Sequence, residues 1–114
     1  MLTSLDKLNA KIFSEQLHTQ FKVAVGAAGP MTLELVEVAE HDSAPNMELF
    51  SLQFAGPEGP RLPQQIYRLE HDKLGAIEIF LTAVGIDPEK RLLYESVFHR
   101  FRKPASPVGN VRSE

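Results

Sequence analysis

The chain has 114 residues, with 12 Lys and Arg, 15 Asp and Glu, 4 His, and neither Cys nor Trp. That length suits one domain with one core, and 43% hydrophobic with 24% charged residues excludes a disordered chain, a collagen and a coiled coil. Without cysteine there is no disulfide, thiolate metal site or cysteine nucleophile, and a net charge of −3 is too near neutral to imply a nucleic-acid partner.

The charge is unevenly spread. Residues 1–89 carry a net −7 and residues 90–114 a net +4, so an acidic body meets a basic C-terminal segment. Met1–Lys7 has no basic region followed by an apolar run, so no signal peptide is expected. No stretch approaches the roughly 18 apolar residues of a membrane span. The expected compartment is the cytoplasm.

In chain order, Thr3 or Ser4 is placed to cap a helix. Leu5, Leu8, Ile12 and Phe13 then recur at near-helical spacing, which predicts a helix over 4–17 with a break near Ser14. Phe21, Val23 and Val25 alternate with Lys22 and Ala24 as in a strand, and Gly26–Pro30 reads as a turn. Met31–Glu40 is the next strand. Leu33 and Leu35 share one parity while Val36 and Val38 share the other, which predicts a β-bulge at Leu35-Val36 or cover on both faces. Met47–Ala55 is a strand with Phe50, Leu52 and Phe54 on one side. Gly56-Pro57-Glu58-Gly59-Pro60 breaks it, since proline lacks the ladder donor. Ile66–His71 and Ile77–Val84 follow as strands, the second apolar at both parities, as in a strand buried on two faces.

Segment 87–102 is ambiguous. Asp87-Pro88-Glu89 is a helix-start signature, and Leu93, Tyr94, Val97, Phe98 and Phe101 form a helical face. The same residues are strand formers. Lys103–Glu114, rich in Pro, Ser and Gly, reads as a tail with little to bury.

Two Glu-His-Asp triplets, Glu40-His41-Asp42 and Glu70-His71-Asp72, lie 30 residues apart. Each is followed four residues later by a strand of the pattern x-Glu-x-Phe. They read either as a duplicated hairpin or as common turn chemistry reused. If the two loops met, His41, Asp42, His71 and Asp72 could ligate a metal, although adjacent residues of one triplet point apart. His18 has a carboxylate near in sequence, Glu15, at helical spacing, which reads as a surface pair. There is no Gly-x-Ser-x-Gly, phosphate loop or dinucleotide fingerprint, so no catalytic residue and no cofactor is expected. Lys90, Arg91, Arg100, Arg102 and Lys103 interleave with aromatics, but on an acidic chain they more naturally meet an acidic surface than nucleic acid.

Three stretches together carry a resemblance. They are Phe50-Ser51-Leu52-Gln53-Phe54-Ala55-Gly56-Pro57, then Gln65-Ile66-Tyr67-Arg68-Leu69-Glu70-His71 with Leu74-Gly75, and Phe80-Leu81-Thr82-Ala83-Val84-Gly85 followed by Tyr94-Glu95-Ser96-Val97-Phe98-His99-Arg100. Over about residues 13–102 the chain resembles a family of small bacterial domains of unknown function. Ile66, Ala83 and His99 stand where that pattern has Gly, Pro and Asn. The resemblance implies that 92–101 is the return strand of a hairpin with Phe80–Val84. It also implies an accessory or assembly role beside phage-tail-like or fibre-like proteins.

The expected fold is mainly β. It is a six-stranded antiparallel barrel or half-open sandwich over residues 1–102, with one N-terminal helix. The expected core is Phe21, Val23, Leu33, Leu35, Phe50, Leu52, Phe54, Tyr67, Leu69, Ile77, Phe80, Leu81, Tyr94, Val97 and Phe98. The expected function is a non-enzymatic protein–protein interaction or assembly module. It would bind a protein partner or itself through a sheet edge or through Tyr94, Phe98, Arg100, Phe101 and Arg102. No nucleic acid and no membrane partner is expected. The alternatives are a small-ligand-binding β-barrel with an interior cavity, and metal binding through His41 and His71.

Overall fold

The computed structural model describes residues 2, 3, 5, 8–24, 30–42, 44–58 and 61–101. A short helix α1 (Ala10–Ser14) is followed by six strands: β1 (Gln20–Ala24), β2 (Pro30–His41), β3 (Met47–Gly56), β4 (Gln65–His71), β5 (Gly75–Ile86) and β6 (Leu92–Phe101). All neighbouring strands are antiparallel, and the single sheet closes on itself in the order β1-β2-β3-β6-β5-β4. The expected mainly-β, six-stranded architecture is therefore found, closed in a ring rather than opened as a sandwich. Val25, the Gly26–Gly29 part of the first turn, Gly59-Pro60, Arg102 and the tail 103–114 lie outside the described residues.

The expected bulge is present. β2 and β3 pair Leu35 with Phe54 and then Glu37 with Gln53, so Val36 is the extra residue. The shift lets Leu33 and Leu35 point inward and, three residues later, turns Val38 toward the core again. The helix is shorter than its periodicity predicts. Asn9, not Thr3 or Ser4, caps it, its side chain accepting from the Ile12 N–H at 2.9 Å. Thr3 instead donates its hydroxyl to the Leu74 carbonyl at 2.7 Å. Beyond Ser14 the chain turns, and His18 at φ 66° leads directly into pairing with β2 through its N–H to the Leu35 carbonyl.

Segment 92–101 is a strand, as the resemblance implies and against its helical periodicity. The helix-start signature serves a hairpin turn instead. Asp87 Oδ1 accepts from the backbone N–H of Glu89 at 2.9 Å and of Arg91 at 2.8 Å, and Lys90 takes φ 67°. β6 then pairs over its whole length with β3, from Gly56↔Leu92 to Met47↔Phe101.

The ring's interior is packed by Tyr94, Phe13, Phe21, Phe50, Phe54, Leu33, Leu35, Leu52, Leu69, Ile77, Leu81 and Val23, all fully buried. Phe13 of α1 lies against one end of the interior, its centroid 6.2 Å from that of Phe50 and 6.0 Å from that of Phe98. The β3–β4 connection crosses the other end. There the Tyr94 hydroxyl accepts from the Leu62 N–H at 3.0 Å, and the Tyr67 hydroxyl donates to the Pro63 carbonyl at 2.6 Å. Leu62 is buried with them. Two expected core residues are not in the core: Phe80 is 47% and Val97 59% exposed. Both have the outward parity of a wall whose inward parity is already filled.

Candidate interaction face

The outer wall has two unlike halves. Among the described residues the large hydrophobic side chains exposed on strands are Ile66, Phe80, Val84, Ile86, Val97 and Phe101, all on β4, β5 or β6; Ile86 shares the inward side of its partner Leu92 at the strand's end, and the others belong to the outer wall. From Ile66 to His71 and from Ile77 to Leu81 burial alternates strictly, and register places Ile66 opposite Phe80 and Arg68 opposite Glu78. On β5 and β6 the ladder runs from Ile86↔Leu92 to Thr82↔Glu95 and goes no further, with a register shift at Val84. Beyond Thr82 and Glu95 the two strands separate, with Phe80 on one side of the parting and Val97 on the other.

Where β5 and β6 part, a groove of about 580 Å³ opens, with Leu5, Ile79, Phe80, Val97, Phe98 and Arg100 among its lining. Leu5 brings the N-terminal segment to its lining, and Leu2 and Thr3 tie that segment to β5. Leu2 bridges Ala76 in parallel, and the Thr3 N–H donates to the Ala76 carbonyl at 2.6 Å. Arg100 fastens the segment from the other side. Its guanidinium donates to the Leu5 carbonyl at 2.9 Å, to the Leu8 carbonyl, and through Nε to Glu48 Oε1 at 2.7 Å. It also lies 5.5 Å from the ring centroids of Phe50 and Phe98, which stack at 4.7 Å.

These positions sort the expected partner-binding residues. Phe101 is 72% exposed and belongs to the face. Phe98 points inward, half-buried on Phe50. Arg100 is half-buried and fully engaged within the chain. Tyr94 is a correction: at 1% exposure its ring belongs to the core and offers a partner no surface. Arg102 lies outside the described residues. The face residues that sequence reasoning missed are Ile66, Phe80 and Val97. A signal existed for two of them. β5 and β6 are apolar at both parities, and a 5-residue helix cannot cover a second face.

The four metal candidates do not converge. Among the described residues no three His, Asp or Glu side chains are grouped to hold a metal ion. His41 is exposed, with Nε2 3.2 Å from Ser51 Oγ. His71 is 8% exposed and its ring is used on both sides. The backbone N–H groups of Lys73 and Leu74 point at Nδ1 at 3.0 and 3.1 Å, which requires a lone pair there. Nε2 therefore carries the proton and donates to Thr19 Oγ1 at 2.8 Å, and the Thr19 hydroxyl donates onward to the Gln16 carbonyl at 2.7 Å. Burial lowers the His71 pKa below its ordinary value. Asp42 and Asp72 are exposed.

On the opposite half of the wall, His18 pairs with Glu34 rather than with Glu15, because the helix ends before His18 and the turn carries it to β2. Glu34 also takes Arg91 at 2.7 Å, and Arg91 holds Asp87 at 2.9 Å. The hydrogen bond from His18, then that from Arg91, holds the Glu34 carboxyl below the usual range. The groove between β1 and β4, about 490 Å³ and lined by Gln20, Lys22, Arg68, Glu70, His71 and Asp72 among others, is polar. Among the described residues no helix is long and apolar enough to cross a membrane.

Residues 8–98 match the family model described as Domain of unknown function (DUF6916). No curated protein and no solved structure matches the chain.

Proposed function

The chain belongs to the DUF6916 family, and we propose that it works as a non-enzymatic interaction module whose binding surface is the outer face of β4, β5 and β6. The observation that carries this reading is the placement of the exposed Ile66, Phe80, Val84, Val97 and Phe101 on these three strands, with Ile66, Phe80 and Val97 around one groove. Scattered single hydrophobics on a surface need no explanation, but a contiguous apolar patch marks an interface or an aggregation hazard. The parting of β5 from β6 adds strand edge beside that patch, and such an edge is where proteins add partners. An assembly role of the kind the sequence resemblance implies, in a tail-like or fibre-like structure, needs a face of this sort.

The small-ligand alternative would need interior space, and the interior is taken up by twelve fully buried side chains. The wall groove is open and shared between apolar and charged residues, which suits a protein surface better than an enclosed ligand. A photo-crosslinking amino acid at Phe80, compared in cells with the same group at the exposed Thr32 of β2, tests the proposal. Adducts with protein from position 80 and not from 32 are expected. Equal adducts at both, or none at 80, would overturn it.

A further inference from the structure

We infer that the parting between β5 and β6 is a slot for one extended peptide strand of a partner protein, a strand that carries a basic side chain. The inference rests on the interaction reading above and names the mode of binding.

Two open edges face each other across the parting. The ladder between β5 and β6 ends at Thr82↔Glu95, yet both strands run on. Gly75–Leu81 is paired to β4 on its far side, and Ser96–Phe101 is paired to β3. Successive residues of a strand aim their N–H and C=O at opposite edges. The Ala76 carbonyl accepts from the Thr3 N–H, on the edge away from β4, so the main-chain groups of Glu78 and Phe80 share that edge. On β6, alternate residues beyond Glu95 turn theirs away from β3 in the same way. Among the described residues no ladder joins these two edges. An occupant that satisfies both must offer N–H and C=O to its two sides in turn, as an extended peptide does.

The chain itself shows that the parting admits a strand. Leu2 bridges Ala76 in parallel, and Arg100 of β6 donates to the Leu5 carbonyl, so one short segment spans from β5 to β6. The groove of about 580 Å³ is what remains between that segment and the end of the ladder.

Floor and rim set the side chains of the occupant. Ser96 lines the groove at 3% exposure, and its hydroxyl has no hydrogen-bond partner among the described residues. A buried hydroxyl in that state calls for a partner. Ser96 is also the smallest inward side chain of β6, between Tyr94 and Phe98, and leaves room for an inward side chain of the inserted strand. At the rim, Glu78 makes no ion pair among the described residues, and Arg68, opposite it on β4, forms none with it. Arg100, the lining's one arginine, is spent on Glu48 and two carbonyls. Glu95 adds a second acid at the end of the ladder. The outward side chain that fits beside Glu78 is therefore Lys or Arg.

A displayed library of random peptides, selected on the purified full chain, tests the inference. Recovered peptides should alternate apolar residues and carry Lys or Arg. N-methylation at consecutive positions should each cost about tenfold in affinity, because both neighbouring strands take the main-chain groups. Ser96→Leu should abolish binding with an unchanged far-ultraviolet spectrum. Glu78→Lys, at an exposed position, should weaken it about fivefold and serves should the first variant fail to fold. Losses at every second position only would show addition to a single edge and overturn the slot. No binding peptide, or binding indifferent to N-methylation or to both substitutions, would also overturn it. If position 80 still gives protein adducts in cells, the interaction reading stands without the slot. The same results without adducts would overturn both.

Discussion

Phe80 stands directly opposite Ile66 across the β4–β5 ladder, and both side chains point out of the ring, 47% and 65% exposed. One residue along, Ile79 pairs with Tyr67 and both are buried. The same two strands thus build core with one parity and an exposed face, apolar at Ile66 and Phe80, with the other. Phe80→Ser and Leu52→Ala separate these roles. The first should change unfolding free energy by less than about 1 kcal/mol, and the second should cost about 2–5 kcal/mol through the cavity it leaves. Denaturant unfolding reads both. A large loss for Phe80→Ser in a single-chain state would place that ring in the core.

Arg100 holds the N-terminal segment to the sheet. Arg100→Ala leaves the half-buried Glu48 carboxylate and the Leu5 and Leu8 carbonyls without this donor. A cost of about 2–3 kcal/mol is expected. Arg100→Lys should recover less than half, since an ammonium cannot span three acceptors that a planar fork reaches. Hydrogen exchange at Thr3 and Leu8 should rise in both variants. Unchanged exchange there would mean the segment is held by other contacts.

His71 makes stability depend on pH. Its Nδ1 accepts from two backbone N–H groups, so the folded state resists protonation and burial lowers its pKa. The unfolded chain takes up that proton below about pH 6.5 and the folded chain does so only at lower pH. Stability from this group is therefore complete above that value and falls as the pH drops beneath it. His71→Gln should be less stable at pH 8 and should lose less than the wild type between pH 8 and pH 5.5. Equal losses in the two proteins would show that His71 does not titrate with folding.

Gly75 opens β5 at φ 80°, and a Cβ placed there would lie 2.7 Å from Thr3 Oγ1. Gly75→Ala should cost about 1 kcal/mol or more, from backbone strain and from displacing Thr3. A neutral result in thermal unfolding would mean that the turn relaxes to negative φ.

Where one local signal dominates, the fold is legible in the residues. Leu33, Leu35, Val36 and Val38 announce the bulge by their change of parity. Phe50, Leu52 and Phe54 announce a buried face. Segment 87–102 is not legible locally, because Leu93, Tyr94, Val97, Phe98 and Phe101 satisfy the helical period. The β3 ladder, 36 to 54 residues away in sequence, decides for a strand. Phe80 and Val97 look like core for a related reason. Hydrophobicity marks them for burial but does not say whether this chain or another supplies the cover. The candidate site is less legible still. His71 and its triplet suggest ligands, whereas the ring is spent on the turn that follows it, a partnership that depends on Thr19, 52 residues away.

The most direct measurement is photo-crosslinking in cells from Ile66, Phe80 and Val97 in turn, against Thr32 and Glu37 on the other half of the wall. The account predicts protein adducts from positions 66, 80 and 97 and none from 32 and 37. Adducts confined to the β1–β2 half, or equal at all five positions, would contradict it.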